Sequence, residues 1–325
     1  MKYLLRVDYM EEDWVSNKVI ISISAINGIL MVQGLRKNLA GLRIEVTSFL
    51  AHFGYSLQIL MIKKSLKRSY EENLVDDLKS ELGGHFEDVM VALMTPMPLY
   101  LAQALHKALK GKQTNAIIEI LCTRDKPSIE NIKKAYMEEH GTELTEELNT
   151  LQSEKFRQFL IAMITEDRSD VAEDLQIAKY LSQKLFDAGA GKSGVLVEDE
   201  IIEMLTKFSY PMLRMAFREY FNIHDDEFQN VIETKFPEEL KDVMKNVYES
   251  ITSPPVFFAK QLNNAIAGAG TDDPKLIRLV VSRCEIDMEN IKEEYEKLYN
   301  ETLEKAIKGD TSGDYKKGLL ALIGC

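Results

Sequence analysis

An all-α repeat array is the fold class this sequence predicts, on three observations. The same set of apolar segments returns along the chain four times, the first time incompletely. Within the segments, apolar residues fall at i, i+3, i+4 and i+7, the spacing of helices that pack one face inward. No alternating run is long enough to suggest a sheet.

The opening element of each unit runs from leucine to glycine over residues 35–41, 105–111, 185–191 and 262–268. Next comes an Ile/Leu-rich segment followed by a basic residue, at 116–124, 199–209 and 274–285. A second amphipathic stretch follows at 129–144, 210–228 and 288–303. The closing element begins at Phe86, Phe156, Leu240 and Tyr315, anchors 70, 84 and 75 residues apart. This frame divides the chain into a divergent segment (1–30), an incomplete first unit (31–98) and three further units (99–170, 177–250 and 254–325). Residues 166–175, acidic and without apolar periodicity, read as the linker between halves. Ser253-Pro254-Pro255 should stop the preceding helix.

Composition agrees with a large helical core. Hydrophobic residues make up 45% and charged residues 28%, with eight prolines and seventeen glycines among 325 residues. The formal net charge of −12 disfavours nucleic acid, and an acidic partner would need a cationic bridge. Cys122, Cys284 and Cys325 lack metal-ligand spacing and suit a reducing compartment. The acidic N-terminus does not read as a secretory signal. The apolar stretches 19–35 and 47–62 carry too many polar residues for membrane spans.

The fourth unit carries a chemical motif. Its opening helix runs into Ile266-Ala267-Gly268-Ala269-Gly270-Thr271-Asp272-Asp273, and Asp310 follows Gly268 by 42 residues. Calcium takes six to eight oxygens, and glycines let a loop turn successive carbonyls toward one point. The carbonyls of Ile266, Gly268 and Gly270 with a bidentate Asp310 would supply about five ligands, leaving room for water or a lipid phosphoryl oxygen. Read locally, Gly-x-Gly after a helix is an ordinary C-cap, and Thr271, Asp272 and Pro274 an ordinary helix start. The repeat frame and the spaced acid favour the metal.

Four repeats of about seventy residues, the G-x-G-T-D-D loop and the closing 308–317 segment, KGDTSGDYKK, together resemble the annexins. The likeness is to four-repeat annexins, invertebrate ones most nearly, and covers residues from about 65 to 325. It implies five helices per repeat wound into a right-handed superhelix, a curved disc, and calcium loops on the convex face. It also implies calcium-dependent docking on phosphatidylserine-rich membranes without catalysis, and a secondary calcium site at the Thr271 carbonyl and the Asp273 carboxylate.

In the same frame the other sites are degraded. The second unit's loop, Gly111-Lys112-Gln113-Thr114-Asn115, lacks the second glycine, is two residues short, and has Leu151 in the acid position. The third keeps glycines at 189, 191 and 194 but has Lys235 as its acid-position residue, read equally as a structural substitute for calcium and as a solvated lysine. The first retains Glu81 as an orphan acid, while Arg43 replaces the second glycine. Residues 43–64 lose the family likeness abruptly, the pattern of an exchanged exon, a shifted reading frame or a faulty gene model.

Competing motifs fail on spacing. The run ending Gly191-Lys192-Ser193 would need glycine at Phe186 to make a phosphate-binding loop. The segment from Asp310 lacks an EF-hand's spacing and its closing Glu. His52, His85, His106, His140 and His224 form no ligand pair and read as structural or surface groups. The expectation is therefore a non-enzymatic, cytoplasmic, calcium-dependent phospholipid-binding protein, peripheral at plasma or vesicle membranes and resting mainly on the fourth unit. Protein partners or self-association on the membrane are further expectations. The alternative is an annexin-like scaffold that has lost most calcium response and acts through protein partners.

Overall fold

The computed structural model describes residues 79, 81–169, 172–189, 196–268 and 270–324, all within one compact unit that begins at Ile44. Expectations on residues 1–78, including the two apolar stretches and Arg43, lie outside the described residues. Sixteen helices and no strand are found among the described residues, apart from one isolated bridge between Ser169 and Phe208. No helix among them is long and apolar enough to cross a membrane.

Helix α1 (Gly84–Met94) closes the first unit. The second unit follows as α2 (Met97–Lys110), α3 (Thr114–Leu121), α4 (Lys126–His140), α5 (Leu144–Leu148) and α6 (Glu154–Thr165). The third is α7 (Leu175–Gly189), α8 (Glu198–Lys207), α9 (Tyr210–His224), α10 (Phe228–Lys235) and α11 (Glu238–Thr252). The fourth is α12 (Pro254–Ile266), α13 (Asp273–Arg283), α14 (Met288–Tyr299), α15 (Leu303–Asp310) and α16 (Gly313–Leu322). Pro254 opens α12 at a position that needs no intrahelical N–H, so the expected break falls there.

The second amphipathic stretch of each unit is not one helix. It breaks after α4, α9 and α14 at Gly141, Asp225 and Asn300, all left-handed with φ of 71°, 52° and 53°. These residue types tolerate that conformation, and each N–H returns to a carbonyl four residues back. Periodicity runs on across the break because Leu144, Phe228 and Leu303, at the start of the next helix, are also buried.

Three devices recur from the second unit to the fourth. First, the residue before the second helix donates its N–H to an alanine carbonyl near the end of the first: Gln113 to Ala108 (2.8 Å), Val197 to Ala188 (2.7 Å) and Asp272 to Ala265 (2.8 Å). Second, a cation on the third helix meets an orphan carbonyl at the end of the fifth: Lys133 to Ile164 (3.3 Å), Arg214 to Ile251 (3.1 Å) and Lys292 to Ile323 (3.2 Å). Third, a tyrosine on the third helix is buried against the first: Tyr136, Tyr220 and Tyr295. Around it His140 stacks on His106 and His224 on Phe186, both at 4.1 Å, whereas Tyr295 reaches Asn263 at 3.2 Å.

The stretch expected as a linker does lie between helices, but it is pinned. Arg168 donates to the Leu205 carbonyl at 2.9 Å and to that of Phe208, and it lies over the Tyr210 ring. Units far apart in sequence also meet. Helix α1 packs on α13 and α16, with Phe86 and Met90 against Ala321. Between α3 and α13, Glu119 and Arg278 form a buried bidentate pair at 3.0 and 2.9 Å. Burial alone would lower the Arg278 pKa, but the Glu119 charge and hydrogen bonds hold it above its ordinary value.

Candidate calcium site

Helix α12 ends at Ile266, where the last carbonyls have no intrahelical donor. Gly268 and Gly270 follow with φ of 144° and 121°, conformations that side chains rarely adopt, and an added Cβ at either would meet nothing within 4 Å. Two neighbouring carbonyls are already used, Asn263 by the Ala267 N–H and Ala265 by that of Asp272. Among the described residues no backbone N–H outside the helices takes the Ile266, Gly268 or Gly270 carbonyl. These are the three carbonyls the sequence nominates.

The spaced acid arrives where it is needed. Asp310 is the last residue of α15, and its Oδ2 accepts the Thr271 hydroxyl at 2.5 Å. Loop and acid, 39 residues apart at this contact, are thus held together by the fold. Asp272 caps α13 by accepting from the Lys275 N–H, so its carboxylate serves the helix. Among the described residues no three His, Cys, Asp or Glu side chains gather as a metal cluster.

Asp273 is differently placed. Its Oδ2 lies 3.1 Å from His85 Nε2 on α1, and Tyr315 packs beside it with ring centroids 5.4 Å from His85. Burial first, and Asp273 second, push the Tyr315 phenol above its ordinary range. Asp273 therefore ties α13 to the first unit, a role the sequence did not reveal because His85 lies 188 positions away. Calcium at the secondary position would have to compete with that contact.

The remaining positions divide as follows. Glu81 is exposed, and its loop lies outside the described residues. Leu151 is half-buried against the core, where a carboxylate would be desolvated. Lys235 ends α10 and is exposed, while residues 190–195, whose carbonyls it was expected to approach, lie outside the described residues. In the second unit Gly111 has an ordinary φ of −83°, and Lys112 takes the left-handed conformation at 54°.

The fold and this loop define an all-helical repeat protein with a two-glycine loop joined to one acid through Thr271. Comparison with known proteins extends this. A family model described as Annexin matches residues 56–93, 100–163 and 257–322. The chain is 40% identical to Annexin B10 of Drosophila melanogaster over 269 residues, covering 81% of this chain and 83% of the relative. It is 38% identical to Annexin A3 of Mus musculus, covering 81% and 82%. The solved structure of annexin III matches with a TM-score of 0.84 at 32% identity, covering 96% of both chains. The chain belongs to the annexin family. The match beginning at residue 56 corrects the expectation that likeness is absent throughout 43–64.

Proposed function

We propose that the chain binds calcium at the fourth-unit loop and uses it to dock on anionic phospholipid membranes. Membership in the annexins supports calcium-dependent phospholipid binding in general. The observation that carries the finer reading is the Thr271–Asp310 hydrogen bond, which holds the spaced acid against the loop of Gly268 and Gly270. Ile266, Gly268 and Gly270 would hold the ion by their backbone oxygens and Asp310 by its carboxylate. The bound ion would bring positive charge to a protein at −12, and a lipid phosphoryl oxygen can complete its shell. The chain's part is positional: two open glycines shape the loop, and Thr271 holds the acid against it.

In this reading the four units are those bounded at 31–98, 99–170, 177–250 and 254–325, and the fourth carries the working site. The protein is a binding module rather than an enzyme, cytoplasmic and peripheral at membranes. Thr271 and Asp273 make at best a weaker second position, since His85 already holds Asp273.

The test is co-sedimentation with phosphatidylserine vesicles across a calcium series. Wild type should bind only with calcium, and Asp310→Ala should raise the calcium requirement at least tenfold. Binding that ignores calcium would point instead to the scaffold reading, in which the helical faces serve protein partners.

A further inference from the structure

We infer that Asp273 serves a clasp between the first and fourth units rather than calcium, so that the fourth unit takes up one calcium ion and not two. The inference deepens the docking reading above and rests on it only for the ion assigned to Asp310.

A second ion would need the Asp273 carboxylate and the Thr271 carbonyl to meet at one point. Instead Asp273 Oδ2 lies 3.1 Å from His85 Nε2, across the packing of α13 on α1. The other ring nitrogen, His85 Nδ1, lies 3.2 Å from Asp88 Oδ2 three residues further along α1, which fixes the ring's orientation. Tyr315 of α16 packs on the same ring. One residue on, Phe86 approaches Gly318 so closely that an added Cβ there would stand 3.3 Å from its ring. His85 therefore projects from the edge of a tight apolar junction. The Asp273 side chain is only 18% exposed, whereas calcium takes six to eight oxygens and draws many of them from water. An ion at Asp273 would have to displace the imidazole and then fill its shell at a largely enclosed oxygen.

The other two units make a like contact where the calcium pattern is broken. Lys155 stands where His85 does, one residue before the closing anchor, which is Phe156 in its unit and Phe86 in the first. Lys155 Nζ lies 2.5 Å from Asp199 Oδ1, across the packing of α6 on α8. Asp199 is the second residue of α8, and Asp273 is the first of α13. So the residue before the closing helix's anchor meets an acid at the start of another unit's second helix, first unit with fourth and second with third. In the third unit Lys235 has replaced the spaced acid, yet Asp199 still makes this contact. An acid at this place therefore has a use that does not depend on calcium.

The experiment pairs calcium titration calorimetry of the full chain with hydrogen exchange of α1 and α6. The variants are His85→Ala, Asp273→Asn, the two combined, and Asp310→Ala. Half-exposed pairs contribute up to about fivefold in an equilibrium, so each clasp variant should lower the protection of α1 roughly two- to fivefold and leave α6 unchanged. The combined variant should lose no more than either alone, because both remove one contact. Asp273→Asn and His85→Ala should leave the calcium affinity and the number of ions bound as in wild type, while Asp310→Ala loses the fourth unit's ion. Loss of a bound calcium in Asp273→Asn overturns the inference, whatever α1 does. Unchanged protection of α1 in both single variants overturns the clasp. Undiminished calcium binding by Asp310→Ala sinks the docking reading instead and leaves the clasp to the exchange result.

Discussion

In the fourth unit the chain leaves its first helix through Gly268 and Gly270 and comes round to Asp310; in the second it leaves through Gly111 and Lys112, and Leu151 stands in the acid's place. The closing hydrogen bond is the same in both, although it spans seven residues in one and five in the other. The third unit makes the same bond over nine. The frame therefore survives changes in loop length, because what maintains it is one backbone bond and the buried apolar faces on either side. The cation chemistry has no such tolerance. As proposed, it needs two positive-φ positions and one acid together, and a unit that loses them keeps its fold.

The severest test of the comparison is the buried pair that joins the second unit to the fourth. Arg278→Ala would leave Glu119, 1% exposed, buried without its partner, at a cost of about 3–5 kcal/mol. A lowered denaturant midpoint would show it. Glu119→Leu/Arg278→Met should recover most of the loss, since an apolar pair avoids the desolvation of both charges. If the single variant were neutral, the two units would not depend on this pair for their contact. Next in size is Gly270→Ala, at about 1–3 kcal/mol. Its new Cβ meets no atom within 4 Å, so the whole loss would be backbone strain, and calcium affinity should fall with it. An unchanged melting temperature and calcium titration would separate the loop's shape from the site.

Much of this frame could be read from the residues alone. The four closing anchors, the proline break before α12 and the pairing of loop with distant acid all follow from periodicity, proline chemistry and calcium's demand for oxygens. The break after the third helix was missed because Leu144, Phe228 and Leu303 extend the apolar period, although Gly141, Asp225 and Asn300 were the available signal. The contacts between His85 and Asp273 and between Glu119 and Arg278 were not legible at all, since a pair 188 or 159 positions apart leaves no local pattern. Register across units could have exposed one more device: Lys133 and Lys292 occupy one position of the frame and both meet the end of the fifth helix, while Arg214, three residues earlier, makes the like contact in the third unit.

Two smaller effects sharpen the comparison further. Lys112→Gly should relieve the left-handed strain of the second loop, offset by the freedom glycine gains when unfolded, for a net stabilisation of no more than about 1 kcal/mol. Thermal melting checks this, and a clear destabilisation would mean that the lysine side chain supports the loop.

The last difference between units concerns the third helix, where the second and third units place His140 and His224 and the fourth places Tyr299. Burial holds both histidines below their ordinary pKa, and His140 is lowered further by His106 stacked upon it. Between each depressed value and the ordinary one near about 6.5, the unfolded chain binds more protons than the folded one. Stability therefore falls as pH drops through that window, by way of the histidines of the second and third units. Hydrogen exchange, corrected for its intrinsic pH dependence, should show α4 and α9 losing protection at pH about 5.5 relative to about 7.5, with α14 unchanged. His140→Tyr, which gives the second unit the fourth unit's residue, should flatten the response of α4 and leave that of α9. If α14 loosened equally, the pH response would belong to the whole array rather than to the two histidine-bearing units.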